Sequence, residues 1–223
     1  MTLSDQILSF YKSLSLSVSI PGVEVLNPFH QPEPFLLCEK FYHQFYNDSN
    51  PRRIILGINP GRLGGGTTGI PFTDPIKLET HCGITNNLPK KAELSSDFIY
   101  RMIDAWGGAA KFYNQFFISA VCPLGFTRNG KNLNYYDDKA LEEAVKPFII
   151  TTLQQQLTFP IDRTVAYCLG DGKNYSFFNT LNKEHAFFEK IIPLPHPRFI
   201  MQYRRKKLND FIALYGQKLS QPR

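Results

Sequence analysis

The stretch Gly57-Ile58-Asn59-Pro60-Gly61-Arg62-Leu63-Gly64-Gly65-Gly66-Thr67-Thr68-Gly69-Ile70-Pro71-Phe72 is well suited to hold a ligand, because six of its sixteen residues are glycine. Glycine lets backbone approach a bound group closely and turn through positive φ. A phosphate-cradling loop needs G-x-x-x-x-G-K-[ST], and no lysine follows any of these glycines. The dinucleotide pattern G-x-G-x-x-G is not matched from Gly57 either. Asn59 stands before Pro-Gly, where an asparagine is commonly a turn residue. His196 stands between Pro195 and Pro197; a neutral imidazole there offers one donor and one acceptor. Neither segment holds a lysine, which argues against Schiff-base chemistry. Cys38, Cys82, Cys122 and Cys168 form no C-x-x-C pair and read as structural thiols, so neither metal nor cofactor is expected.

These residues need elements to position them. Arg52 to Ile58 is short, β-branched and apolar, as a strand buried on both faces would be. Phe116–Val121, Thr164–Leu169 and Phe187–Leu194 read as three further strands. Helices are predicted over 3–14, from Pro34 into the mid-forties, over 95–106 with Ser95 or Ser96 as N-cap, from Asp137 to about Gln156, over 173–182 and over 203–217. Pro147 is expected to kink or divide its helix. The proline-bearing segment Ser19–Pro34 reads as an irregular arm, and Asn59 to about Pro89 as one long loop. Alternating strands and helices predict an α/β fold, a three-layer α/β/α sandwich with a central, mostly parallel four-stranded sheet. One domain over 1–223 is expected, with 1–50 packed on it as an N-terminal helical arm. Ligands in such sheets bind at the C-terminal strand ends, where the loops after Ile58 and Leu194 should emerge.

The net charge of +6 favours a polyanionic partner. Arg204, Arg205, Lys206 and Lys207 stand in a row just beyond Arg198, at the predicted start of the last helix, where backbone N–H groups also favour phosphate. The chain has no apolar run of membrane-spanning length and no secretion signal, so a cytoplasmic monomer that does not enter a membrane is expected.

The order of residues in the glycine-rich stretch resembles the first motif of the uracil-DNA glycosylase superfamily, and within it the single-strand-selective monofunctional (SMUG-type) branch. That branch reads Gly-Met-Asn-Pro-Gly-Pro-Phe-Gly-x-x-x-Thr-Gly-Val-Pro-Phe, and residues 57–72 follow it without a gap. Asn27-Pro28, Glu33-Pro34, the strand ending Cys122-Pro123-Leu124, and His196-Pro197 resemble further family segments. Two positions depart. Ala120, beside Ser119, stands where the family has a base-reading asparagine, and His-Pro-Arg-Phe replaces His-Pro-Ser-Pro-Arg.

The resemblance implies a monofunctional glycosylase acting on uracil or a related deaminated base in single- or double-stranded DNA. The base must leave the stack, because its glycosidic bond is unreachable inside a duplex. Asn59 would orient the water, and His196 would donate to the base oxygen where negative charge develops. Phe72 would stack on the base, with Ile58, Gly61, Ser119 and Ala120 around it. Arg198 and Phe199 would build the wedge, and Arg204 to Lys207 would meet phosphates. The alanine at 120 implies a pocket open enough for xanthine or hypoxanthine. Two other readings are open: a DNA-binding member without catalysis, and a small-nucleotide-binding protein.

Overall fold

The computed structural model describes residues 1–221. Its seven strands are β1 (Val23–Leu26), β2 (Arg52–Gly57), β3 (Phe116–Ala120), β4 (Gly125–Arg128), β5 (Lys131–Leu133), β6 (Ile161–Leu169) and β7 (Lys190–Leu194). The expected four form one parallel sheet in the order β3-β2-β6-β7. Strand β2 lies inside it and buries Ile54, Ile55 and Leu56 on both faces. Neighbouring residues of β3 show the two flanking layers. Phe116 packs against Phe112 and Trp106, while Phe117 meets Tyr46 and Phe159. The N-terminal helix Leu3–Ser13 docks through Tyr11, whose ring stacks on Phe29 at 4.2 Å. Arg52 is fully buried within this apolar frame; its guanidinium donates to the Tyr113 carbonyl and to Asp48, each at 2.8 Å.

Register decides where the site falls. Gly57 lies opposite Ala120, and Leu169 opposite Leu194. The chain ends of these strands therefore finish at one edge, and the loops carrying Asn59 and His196 leave from it.

Several boundaries differ from the sequence reading. The arm at 19–34 contains β1 and a 3-10 turn, Pro28–His30, capped by Asn27. β1 pairs with β4, about a hundred residues away, and β4 with β5, making a second, antiparallel sheet. The β4–β5 turn is Asn129-Gly130, with φ of 51° and 69°. An Asn-Gly pair is the usual two-residue hairpin signal, so this element was visible in the sequence. The long loop folds two short helices, Gly65–Thr68 and Pro75–Thr80. Glu93, not a serine, caps the helix Leu94–Trp106; Ser96 is buried inside it and accepts the Asp74 N–H. Asp138 rather than Asp137 caps Lys139–Gln156, and Pro147 lies within that helix without dividing it. Helices also form at Pro32–Phe45, Ala109–Tyr113 and Lys173–His185. The helix predicted over 203–217 begins only at Leu208 and runs to Leu219. The 3-10 turn Arg205–Lys207 takes the place of its first turn, and a separate helix that was not predicted, Pro197–Tyr203, precedes that turn. All four cysteines are buried and unpaired, and no cluster of metal-binding side chains occurs among the described residues. No helix among them is long and apolar enough to cross a membrane.

Candidate active site

A cavity of about 850 Å³ opens at the sheet edge. That is ample for a nucleobase. Its walls come from the loop after β2, Phe72, the end of β3, the segment after β5, and the helix that begins after His196.

Asn59 sits in this wall with its carboxamide bound at both ends. Its Nδ2 donates to the Leu133 carbonyl at 3.2 Å, and its Oδ1 accepts the Tyr135 N–H at 3.1 Å. An amide oxygen has two lone pairs, so one is left to accept from a water.

His196 is the N-cap of Pro197–Tyr203, and its Nδ1 accepts the Arg198 N–H at 3.1 Å. Nδ1 is therefore unprotonated in the neutral ring, and the proton resides on Nε2. Burial, reinforced by the Arg198 charge, lowers its pKa from 6.5 to about 4. The imidazole is neutral at physiological pH with a single donor. The Tyr215 hydroxyl holds the loop from behind by donating to the Pro195 carbonyl at 2.5 Å.

Phe72 adopts a left-handed φ of 53°. This conformation is strained for a phenylalanine, and such strain tends to concentrate at functional sites. Here a turn imposes it. Thr73 N–H bonds back to Ile70, while the buried Thr68 hydroxyl donates to Thr73 and accepts from Ile70. The Phe72 ring then lies over Gly57 and tilts toward His196, with centroids 5.9 Å apart.

Ile58, Gly61, Ser119 and Ala120 also border the cavity. The Gly61 carbonyl accepts the Gly64 and Gly66 N–H groups, which fold the loop back on itself. The Ser119 hydroxyl is buried beside that of Tyr11, next to a small void of about 10 Å³ behind the cavity. Ala120 presents only a methyl group there.

Arg198 and Phe199 stand exposed at the mouth. One turn on is Tyr203, 61% exposed, with its ring 5.7 Å from that of Phe199. The Arg204 guanidinium covers the Phe199 ring at 5.4 Å. The result is an aromatic ridge beside the cavity, capped by a cation. Sequence reasoning missed Tyr203, although Phe199 and Tyr203 have the i, i+4 spacing of helix neighbours. It also missed Arg62, Lys131 and Tyr136 in the cavity wall. Arg205, Lys206 and Lys207 are exposed on the turn beyond the ridge and do not line the cavity. His81 stays outside too, paired with Asp104 at 3.3 Å.

Comparison with known proteins agrees with this architecture. The model of the uracil DNA glycosylase superfamily matches residues 43–220. A crystal structure of wild-type Pedobacter heparinus SMUG2 superposes with a TM-score of 0.95 at 48% identity, over 98% of this chain and 97% of that one. A comparison with curated proteins found no match. With the glycine-rich loop, the His-Pro loop and the sheet edge joining them all in place, the chain belongs to the uracil-DNA glycosylase superfamily and is a member of its SMUG type.

Proposed function

We propose that the protein is a monofunctional DNA glycosylase that hydrolyses the N-glycosidic bond of uracil or a related deaminated base, the first step of base excision repair. The observation that carries this reading is the shared cavity of Asn59 and His196, each held in one hydrogen-bonding state. As the bond to C1′ breaks, its electron pair goes to the base and the sugar becomes cationic. The His196 Nε2–H meets the charge growing on a base oxygen. Asn59 Oδ1 orients a water toward C1′. A carboxamide is a poor base, but a water attacking a formed cation needs orientation more than activation. Phe72 stacks on the extruded base. The methyl of Ala120 leaves room for a purine such as xanthine or hypoxanthine as well as uracil.

Oligonucleotides each carrying one uracil, xanthine or hypoxanthine, in single and double strands, test this directly. Abasic sites are expected from at least one base, with the rate falling about 100-fold or more in Asn59→Ala. Salt-dependent binding without base release on any of them would instead make the protein a DNA-binding member of the family.

The ridge carries a second prediction. Stacking of a base on an aromatic ring contributes about 1–3 kcal/mol. Truncating both Phe199 and Tyr203 to alanine should slow release from duplex about tenfold or more while sparing single strands, which have no stack to open. Equal losses on both substrates would remove the ridge from the role of wedge.

A further inference from the structure

The segment that grips Asn59 belongs to neither glycosylase motif. It is the strap Leu133–Tyr135 that leaves β5, and its grip is polar in a directional sense. A donor from position 59 must face the Leu133 carbonyl, and an acceptor must face the Tyr135 N–H. A carboxamide satisfies both, whereas a carboxylate has no donor.

The strap is itself anchored in the core. The Tyr135 hydroxyl donates to Asn174 Oδ1 at 2.8 Å, and both residues are essentially buried. Asn174 Nδ2 donates in turn to the Leu169 carbonyl at 3.0 Å, at the end of β6, and lies 3.5 Å from the Gly57 carbonyl at the end of β2. The circuit closes within two residues of Asn59. On the outer side, Asp137 accepts the Asn134 N–H at 2.9 Å, and Asn132 accepts the Arg62 N–H at 3.0 Å. The strap therefore joins the loop that carries Asn59 to two sheet strands.

We propose that the strap Leu133–Tyr135, anchored through the Tyr135–Asn174 hydrogen bond, is a positioning device that accepts a carboxamide and rejects a carboxylate at position 59. The proposal builds on the glycosylase reading for its catalytic consequence, but not for its structural one. Tyr135 and Asn174 are positioning residues, since they act only through Asn59.

The consequence is an inverted pH response in Asn59→Asp. An ionised carboxyl there would put an oxygen against the Leu133 carbonyl. Protonation would restore the donor and with it the native arrangement. The charged and titratable groups facing the same cavity are Arg62, Lys131, Arg198, Glu93, Tyr136, Tyr203 and His196. The three cations are exposed, so solvent screens them, whereas the Leu133 carbonyl is in direct contact. The carboxyl introduced at 59 should therefore titrate well above the ordinary value of about 3.9.

Two measurements test this. The first is an NMR titration of the introduced carboxyl, which needs no activity. A raised pKa supports the device, and an ordinary or lowered one overturns it. The second is single-turnover release of uracil from a single-stranded oligonucleotide. Asn59→Asp should be about 10- to 100-fold slower than wild type at pH 8 and recover as the pH falls. A rate that instead rises with pH would mean that the carboxylate works as a general base, and would overturn the proposal. Tyr135→Phe should lower the maximal rate about tenfold without weakening DNA binding, with little further effect in an Asn59→Ala background. Full loss in both backgrounds, or a lowered melting temperature with an intact rate, would reduce Tyr135 to a purely structural role and overturn its part. If wild type releases no base while the carboxyl still titrates high, the glycosylase reading fails and the strap stands.

Discussion

Replacing His196 with alanine is expected to slow base release by about 10²- to 10³-fold, the usual cost of removing one donor aimed at developing negative charge. The loss should appear in the maximal rate more than in DNA binding, because the donor acts on charge that is absent from the ground state. Glutamine, which keeps an N–H donor, should recover part of the rate. The wild-type pH profile provides an independent check. With a pKa lowered from 6.5 to about 4, the imidazole stays neutral through the physiological range. The His196 contribution should be level from pH 8 down to about 5 and be lost as the pH falls through about 4. Protonation at Nδ1 would set an N–H against the Arg198 N–H and break the cap. Stability follows the same sign. Between 6.5 and about 4 the unfolded chain takes up a proton that the folded ring refuses, so folding weakens as the pH drops across that window. An acid limb near 6.5 that vanished in His196→Gln would mean that a charged imidazolium is the working form.

Gly57→Ala is expected to cost nearly as much, through a different route. A Cβ at this position would lie 2.7 Å from Phe72 Cε2 and 2.8 Å from Cζ. Carbon atoms do not approach so closely, so the ring must move. It cannot retreat easily, because the Ile70–Thr73 turn and the Thr68 hydroxyl fix its backbone. In the stacking role proposed for Phe72, the displaced ring should lose about 1–3 kcal/mol of contact with the base, or roughly 5- to 150-fold in rate constant over binding. Stability should also drop by about 1–3 kcal/mol from overpacking. The decisive measurement is the double variant. Phe72→Ala removes the obstructing ring, so adding Gly57→Ala to it should cost little further stability. Additive losses would show that the alanine clashes with something other than Phe72.

Parts of this site were legible because their signals are local. The strand Arg52–Gly57 announces itself by a continuous apolar run, and its loop by an order of Gly, Asn and Pro that resembles the first motif of the family. Alternation of strands and helices gave the parallel sheet, and with it the edge where Asn59 and His196 meet. Other parts were written in the sequence but not read. Asn129-Gly130 marks a hairpin, and the Phe199/Tyr203 spacing marks a ridge on one helix face.

The loop after β2 illustrates the remaining division. The sequence by itself determined that Asn59 and His196 would occupy loops at one sheet edge, because motif order and strand periodicity are properties of neighbouring residues. Only the tertiary structure decided how each is held. The Asn59 carboxamide takes its direction from a strap 74 to 76 positions further along the chain. The His196 proton sits on Nε2 because the chain turns back two residues later to offer the Arg198 N–H. The strained Phe72 backbone rests on a threonine whose role appears only once the turn closes. Hydrogen-bond direction and burial depend on which groups meet in space, and a one-dimensional pattern carries no record of that meeting.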